Sequence, residues 1–427
     1  MKPSTRTQIL TLMLALGLTL VLAACSAGSC AANSGGSGSS GGSGGTSGGS
    51  PGDNTCSTHS GGGGGNGGGG GSSFVALLYY MDANFTQIDG AGLSSSGQLG
   101  AISGFTPPTI PASASDNMVI VNQQFLYIPM SDTTVQGFAI DHSSGALTAI
   151  TGSPFTIPNA GSGTADGAVA DPKGRFLFVG SEFSGQVWVF QIDASTGALT
   201  AVSGSPFTSP LNTFTSADNL TVDAGGQFLY VGQGSASAGV EAFSIDQTSG
   251  ALTEVAGSPF LLGVAQVHAD PAAEFLLGVG EIPDQGTGAT DTHISVFSIA
   301  NNGVPSAVAG SPFTTTFAPY DFLVVPNGNF VFTFGFDSTT KAIGSMEGFQ
   351  MDPTTGALKE MSGSPFTSLP TVYDCQIDQG GSEALCFDNF PGGTTFTVLN
   401  VNSSTGAVGQ SGTGFAVNNT SPFAITD

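Results

Sequence analysis

The side chains best equipped for chemistry in this chain are carboxylates. Asp116, Asp166, Asp218, Asp321 and Asp374 recur at long intervals, and Asp132, Glu182, Glu281, Asp337 and Asp388 form a second recurring set. Acids gathered at one mouth could hold a divalent cation or a cationic ligand. Ca²⁺ would suit them because it accepts many oxygen ligands in loose geometry. The plainer alternative is that they cap turns and keep a surface solvated, and no Asp-x-Asp-x-Asp-Gly loop favours the metal. Of the four histidines, His59, His142 and His293 fall in loop-like stretches. His268 lies in an apolar run, where it could act as base or ligand or serve as a structural residue. No Gly-x-Ser-x-Gly elbow joins a strand to a helix, so no serine stands out as a nucleophile.

These residues are carried by a repeat. Gly145-Ala146-Leu147-Thr148 runs on to Gly152-Ser153-Pro154-Phe155, and the same stretch returns at Gly197–Phe207, Gly250–Phe260 and Gly356–Phe366, and in altered form at Gly303–Phe313. A fixed period of about fifty residues signals one supersecondary unit stacked many times. Within a unit the pattern gives four short strands: Gly167–Ala170, Phe176–Gly180, Val187–Ile192 and Ala198–Ser203. Turns such as Asp171-Pro172-Lys173-Gly174 and Asp193-Ala194-Ser195-Thr196-Gly197 separate them. Asp141, Asp193, Asp246 and Asp352 recur in the second of these turns, as local turn chemistry. Proline in Gly-Ser-Pro-Phe suits an outermost strand or the connection after it, and the repetition of its serine marks scaffold. Trp188 in a third strand is expected to pack between units.

Seven exits are counted at Phe105, Phe155, Phe207, Phe260, Phe313, Phe366 and Phe415. The first unit lacks a first strand, and Pro422-Phe423-Ala424-Ile425-Thr426-Asp427 supplies one. A chain whose end completes its beginning describes a closed ring, so the expected fold is all-β: a seven-bladed β-propeller over residues 74–427 with four-stranded antiparallel blades. An open solenoid would need end caps, and neither terminus offers one.

The 427 residues carry 6 Lys and Arg against 30 Asp and Glu, a net charge of −24, with 39% hydrophobic residues. That balance argues against nucleic acid, whose phosphates need clustered cations, and favours solubility. Residues 1–24 read as an export signal, with Lys2 and Arg6 ahead of the apolar run Ile9–Leu22. Leu22-Ala23-Ala24-Cys25 resembles the bacterial lipobox, which implies acylation of Cys25 and anchoring to the cell envelope, with Ser26 compatible with the outer membrane. An ordinary secretory signal is the alternative. Residues 25–73 are almost wholly Gly, Ser, Asn and Thr, a flexible tether. Cys30 and Cys56 inside it are either paired or free. Cys375 and Cys386 flank the turn Asp378–Glu383 of the last unit, where antiparallel pairing would bring them together as a disulfide in an exported protein.

The units resemble the lactonase-type seven-bladed β-propeller family, relatives of 6-phosphogluconolactonase that include the YVTN repeats. The likeness is carried by Asp171-Pro172-Lys173-Gly174-Arg175-Phe176-Leu177-Phe178-Val179, Gln227-Phe228-Leu229-Tyr230-Val231, Phe190-Gln191-Ile192-Asp193 and the Thr-Gly-Ala-Leu turns at Thr196 and Thr355. It implies a pocket at the end where the inner strands begin, lined in family enzymes by Arg and His. Here the matching stretches read Thr164-Ala165-Asp166, Ser216-Ala217-Asp218 and Val264-Ala265-Gln266. Beyond the signal the chain has only Lys173, Arg175, Lys341 and Lys359, and of these Lys341 alone is expected on the pocket side. A phosphorylated lactone would want several convergent cations.

The expected function is therefore a lipid-anchored binding or interaction module of the cell envelope, with no resident cofactor beyond a Ca²⁺ option. Its ligand rim would comprise Asp116, Asp166, Asp218, Asp321, Asp374, Glu182, Glu281 and Asp337, with His268 and Lys341 as further candidates. A hydrolase acting on an uncharged sugar lactone is the alternative. The expected partners are the membrane, through the anchor, and an unidentified protein, carbohydrate or small molecule, with the propeller a monomer.

Overall fold

Apolar runs such as Phe176-Leu177-Phe178-Val179 and Leu229-Tyr230-Val231 are short, β-branched or aromatic, and bounded by Asp-Gly turns. Such runs can be buried only in the middle of a small sheet. A computed structural model describes residues 74–110, 114, 117–160, 165–181, 184–208, 219–232, 239–280, 291–340, 342, 344–372, 374–390, 393–417 and 422–426. They form seven antiparallel sheets, and strands neighbouring in sequence pair within each.

We number the sheets as blades 1–7 in chain order. Their inner strands are Phe423–Ile425 (blade 1), Val119–Val121, Ala165–Ala170, Asn219–Val222, Gln266–Ala269, Ala318–Val324 and Asp374–Ile377 (blade 7). The second strands of blades 1 to 6, from Phe74–Met81 to Phe330–Phe336, are almost continuously buried, and Glu383–Phe390 is the second strand of blade 7. The core is divided among the seams: seven clusters of buried side chains each join two neighbouring blades. Trp188, fully buried, sits in the seam of blades 2 and 3.

The ring closes through the C-terminal strand. Leu78, Tyr79 and Tyr80 pair antiparallel with Ile425, Ala424 and Phe423, and Thr426 exchanges two hydrogen bonds with the Leu77 backbone. Phe423 then packs against Phe387 and Phe396 of blade 7, with ring centroids at 5.7 and 5.2 Å.

The fourth strand differs from its expected form. In blades 2, 3 and 5 it splits into two pieces, Leu147–Ala149 with Phe155–Thr156 in blade 2, and both pair with the third strand. Five Ser-Pro peptides at this break are cis. The preceding serine hydroxyl fastens the break by accepting a third-strand N–H: Gly137 to Ser153, Val189 to Ser205, Ala242 to Ser258, Val296 to Ser311 and Gly348 to Ser364. The serine is scaffold, as its repetition implied.

Adjacent blades are also joined at the turn between third and fourth strands. Gly197 adopts φ +71°, and a Cβ there would lie 2.5 Å from Phe125 of the preceding blade. Tyr127 of that blade donates its hydroxyl to the Gly197 carbonyl at 2.6 Å. Tyr79 with Gly145 and Tyr230 with Gly303 repeat the joint.

Candidate functional site

Inner-strand side chains point along the seams and toward the axis. Asn219, Gln266, Asp321 and Asp374 lie at one level, opposite Gly232, Val279, Phe334 and Phe387 of their second strands. This polar level spans blades 4 to 7. Part of it braces the ring. Asn219 Oδ1 accepts the Val267 N–H of blade 5 at 3.0 Å, and Thr221 accepts that of Ala269 at 2.8 Å. Gln376 donates to the Phe423 carbonyl of blade 1 at 2.7 Å.

The seam of blades 5 and 6 brings two candidates together. His268 Nε2 lies 3.4 Å from Asp321 Oδ1; the imidazole is 44% exposed and the carboxylate 8%. The His268 ring also packs on Phe322, centroid to centroid 4.7 Å. Asp321 is placed by a bulge between Pro319 and Asp321, which turns its carboxylate inward to accept the Phe322 N–H at 2.8 Å. The result is a half-open imidazole backed by a buried carboxylate and walled by an aromatic ring. It can accept or donate hydrogen bonds to a neutral polar ligand while offering it an apolar face.

The other candidates are dispersed. Asp166 is buried at a bulge in blade 3, and half-buried Asp374 stands in blade 7 beside Cys375. Asp337 closes its own turn by accepting the Thr339 and Thr340 N–H groups at 2.9 and 2.6 Å. Exposed Asp132 accepts the Thr134 hydroxyl. Asp388 falls in the second strand of blade 7. Asp116, Asp218, Glu182, Glu281 and Lys341 lie outside the described residues, as do Cys25, Cys30 and Cys56. Among the described residues no group of three His, Cys, Asp or Glu is arranged to hold a metal ion.

The cations lie elsewhere. Lys173 donates to the Gly225 carbonyl, and Arg175 pairs with Asp171 at 2.7 Å and reaches Gln247. Both sit in the turn between first and second strands of blade 3. Lys359, on the outermost strand of blade 6, lines a cleft of about 610 Å³ toward blade 7 with Phe330, Met361, Phe366, Thr405 and Val408. None of these three belongs to the inner strands. Asp141 and Asp193 accept Ser and Thr donors of their own turns, which hold their carboxyls down to about 2.

Two buried acids escape a reading of sequence alone. Glu347 and Glu241 occupy the same third-strand position in blades 6 and 4 and are 1% and 0% exposed. Glu347 accepts the Thr316 and Phe317 N–H groups at 2.9 and 2.6 Å, fastening the segment that enters blade 6, while burial pushes its carboxyl up. Both acids lie in third strands buried along most of their length, Glu347 four residues before Met351, and nothing in the sequence around them marks the burial. Cys375 and Cys386, directly opposite each other on the inner and second strands of blade 7, form the expected disulfide.

Residues 118–267 match the sequence model of the family described as lactonase, 7-bladed β-propeller. No curated protein matches the chain. Among solved structures, a provisionally assigned 6-phosphogluconolactonase of Bacteroides fragilis superposes with a TM-score of 0.62 at 15% identity, covering 84% of this chain and 100% of the other. Its counterpart from Bacteroides uniformis gives 0.62 at 15%, covering 82% and 98%. A protein from Lactobacillus plantarum gives 0.56 at 12%, covering 82% and 99%. At such identities the superpositions speak for fold alone. The chain is a seven-bladed β-propeller that resembles the lactonase family, and its sequence matches that family across residues 118–267.

Proposed function

We propose that this propeller binds a neutral, hydroxyl-rich small molecule, a sugar or sugar lactone, at the inner wall of blades 5 and 6. The observation that carries the reading is the pairing of half-exposed His268 with buried Asp321 beside Phe322. A carboxylate-backed imidazole offers directional hydrogen bonds, and an aromatic face suits the C–H surface of a sugar ring. No Lys or Arg among the described residues stands on an inner strand, so an uncharged ligand fits better than a phosphorylated one. The Cys25 segment supports presentation of the propeller from a lipid anchor across the Gly/Ser tether, at the outer membrane.

Hydrolysis of an uncharged lactone by the same pair is a second reading, favoured by the match of residues 118–267 to the lactonase family. In that reading His268 is the base that activates water and Asp321 holds the ring. The test is a thermal-shift panel of neutral sugars and lactones, since a ligand of the native state raises apparent stability, combined with lactone-consumption assays. Binding that is lost in both His268→Gln and Asp321→Asn supports the site. Turnover lost in both variants supports the hydrolase. Binding or turnover indifferent to both variants sinks the proposal. Release of the protein from membranes on Cys25→Ser tests the anchor.

A further inference from the structure

In blades 2 to 6 the phenylalanine that opens the second strand, its third-strand partner and that residue's fourth-strand partner form a row on one sheet face, because direct cross-strand partners project to the same side. The row ends in Thr148, Thr200, Thr253 and Ser306 in blades 2 to 5. In blade 6 it runs Phe330, Gln350, Lys359, so a cation stands where the other blades carry a neutral hydroxyl. Phe330 belongs to the core cluster shared with blade 7, and the row therefore faces that blade. Glu360 also borders the cleft there. It pairs with Phe349, a member of the cluster shared with blade 5, so its side chain faces the other way.

The blade 7 turn that forms the opposite wall carries no acid. Corresponding turns open with Asp141, Asp193, Asp246 and Asp352. Here Asn402 takes that place, and its Oδ1 accepts the Ser404 and Thr405 N–H groups at 3.0 Å each, as Asp193 accepts those of Ser195 and Thr196 at 3.0 and 2.9 Å. The turn keeps its shape and gives up its charge. Thr405 Oγ1 accepts the Ala407 N–H, which leaves its hydroxyl proton to donate. Lys359 is exposed and has no ion-pair partner among the described residues. The floor is apolar: Phe330 is 3% exposed, and Met361, Phe366 and Val408 are partly buried against the same cluster. In a chain of net charge −24, the two walls of this cleft together hold one uncompensated positive charge.

The geometry points to a binding site for a small organic monocarboxylate with an apolar body, in the cleft of about 610 Å³ between blades 6 and 7. That volume lies in the usual range of small-molecule sites. The carboxylate meets the Lys359 ammonium and the Ser404 and Thr405 hydroxyls, while the hydrocarbon part covers Phe330 and Met361, whose thioether adapts to a ring edge. One cation balances one negative charge; a phosphate ester or dicarboxylate would leave charge unmatched. The site lies on outer strands and depends on nothing in the reading of the inner wall at His268 and Asp321.

The experiment is methionine-methyl NMR of the full chain, with the Met361 signal assigned by its loss in Met361→Leu, titrated with 3-phenylpropionate at constant ionic strength. 3-Phenylpropionamide, alike in shape and uncharged, is the control. The Met361 signal is expected to move saturably with a Kd on the order of 1–10 mM, the level that about 11 non-hydrogen atoms reach at modest ligand efficiency. Lys359→Thr installs the residue of blades 2 to 4 at an exposed position. That variant and the amide are each expected to weaken binding about fivefold, the upper end for an ion pair at an exposed rim. Lys359→Arg is expected to stay within about twofold of the wild type. A Met361 signal that stays still up to about 50 mM ligand overturns the inference. So does a loss of less than about threefold with either the amide or Lys359→Thr, since the cation would then play no part.

Discussion

Phe423→Ala should destabilise the whole ring, though only four residues follow it in the sequence. Phe423 is 2% exposed, pairs with Tyr80 in the three-residue ladder that closes blade 1, and stacks on Phe387 and Phe396. Burying a phenylalanine is worth about 1.5–3 kcal/mol, and each aromatic pair adds about 0.5–1.5 kcal/mol. The sum agrees with the usual cost of truncating a core phenylalanine, about 3–5 kcal/mol. Urea unfolding followed by fluorescence is the assay, with the fall in midpoint converted to free energy at unchanged slope. Leu261→Ala is the control, because Leu261 is 76% exposed and its loss should fall within about 0.5 kcal/mol. If Phe423→Ala costs no more than that control, the terminal strand does not close the ring in solution and the seam of blades 7 and 1 is wrongly described.

Four further outcomes follow from the seams and turns. Tyr127→Phe leaves the buried Gly197 carbonyl without its donor and should cost about 1–2 kcal/mol, read by the same unfolding assay. Gly197→Ala forces a Cβ against Phe125 at a left-handed φ; overpacking and strain together should cost at least about 2 kcal/mol. Reducing Cys375–Cys386, whose cysteines are 11 residues apart, should lower stability by about 3 kcal/mol on the loop-entropy estimate, seen as a lower urea midpoint in reductant. Asp141 and Asp193 have carboxyls held at about 2, so their native state binds fewer protons than the unfolded chain below pH 4. Their stabilisation is complete above the ordinary carboxyl range and is lost as pH falls toward 2. Asp193→Asn should flatten that acid limb, and carboxyl ¹³C titration should give the depressed value directly.

The ring was legible in the sequence because its cause is covalent and periodic. The Thr-Gly-Ala-Leu turns fix where each third strand ends, and Phe423-Ala424-Ile425 matches the first strand that the opening unit lacks. The disulfide followed from a turn flanked by two cysteines. The inner level was less legible because bulges are invisible to counting. Asp166 and Asp321 look equivalent in the repeat, yet each sits at a register shift, and only Asp321 is carried against His268 of the neighbouring blade. That contact crosses a seam, and nothing local in either strand announces it.

The proposed binding site on blades 5 and 6 is tested most directly by histidine-selective NMR of the full chain, which has four imidazoles to resolve. Adding a neutral sugar lactone that passes the thermal-shift panel should move the His268 signal, assigned by its disappearance in His268→Gln, and leave those of His59, His142 and His293 in place. A ligand that binds while the His268 signal stays still would contradict the account.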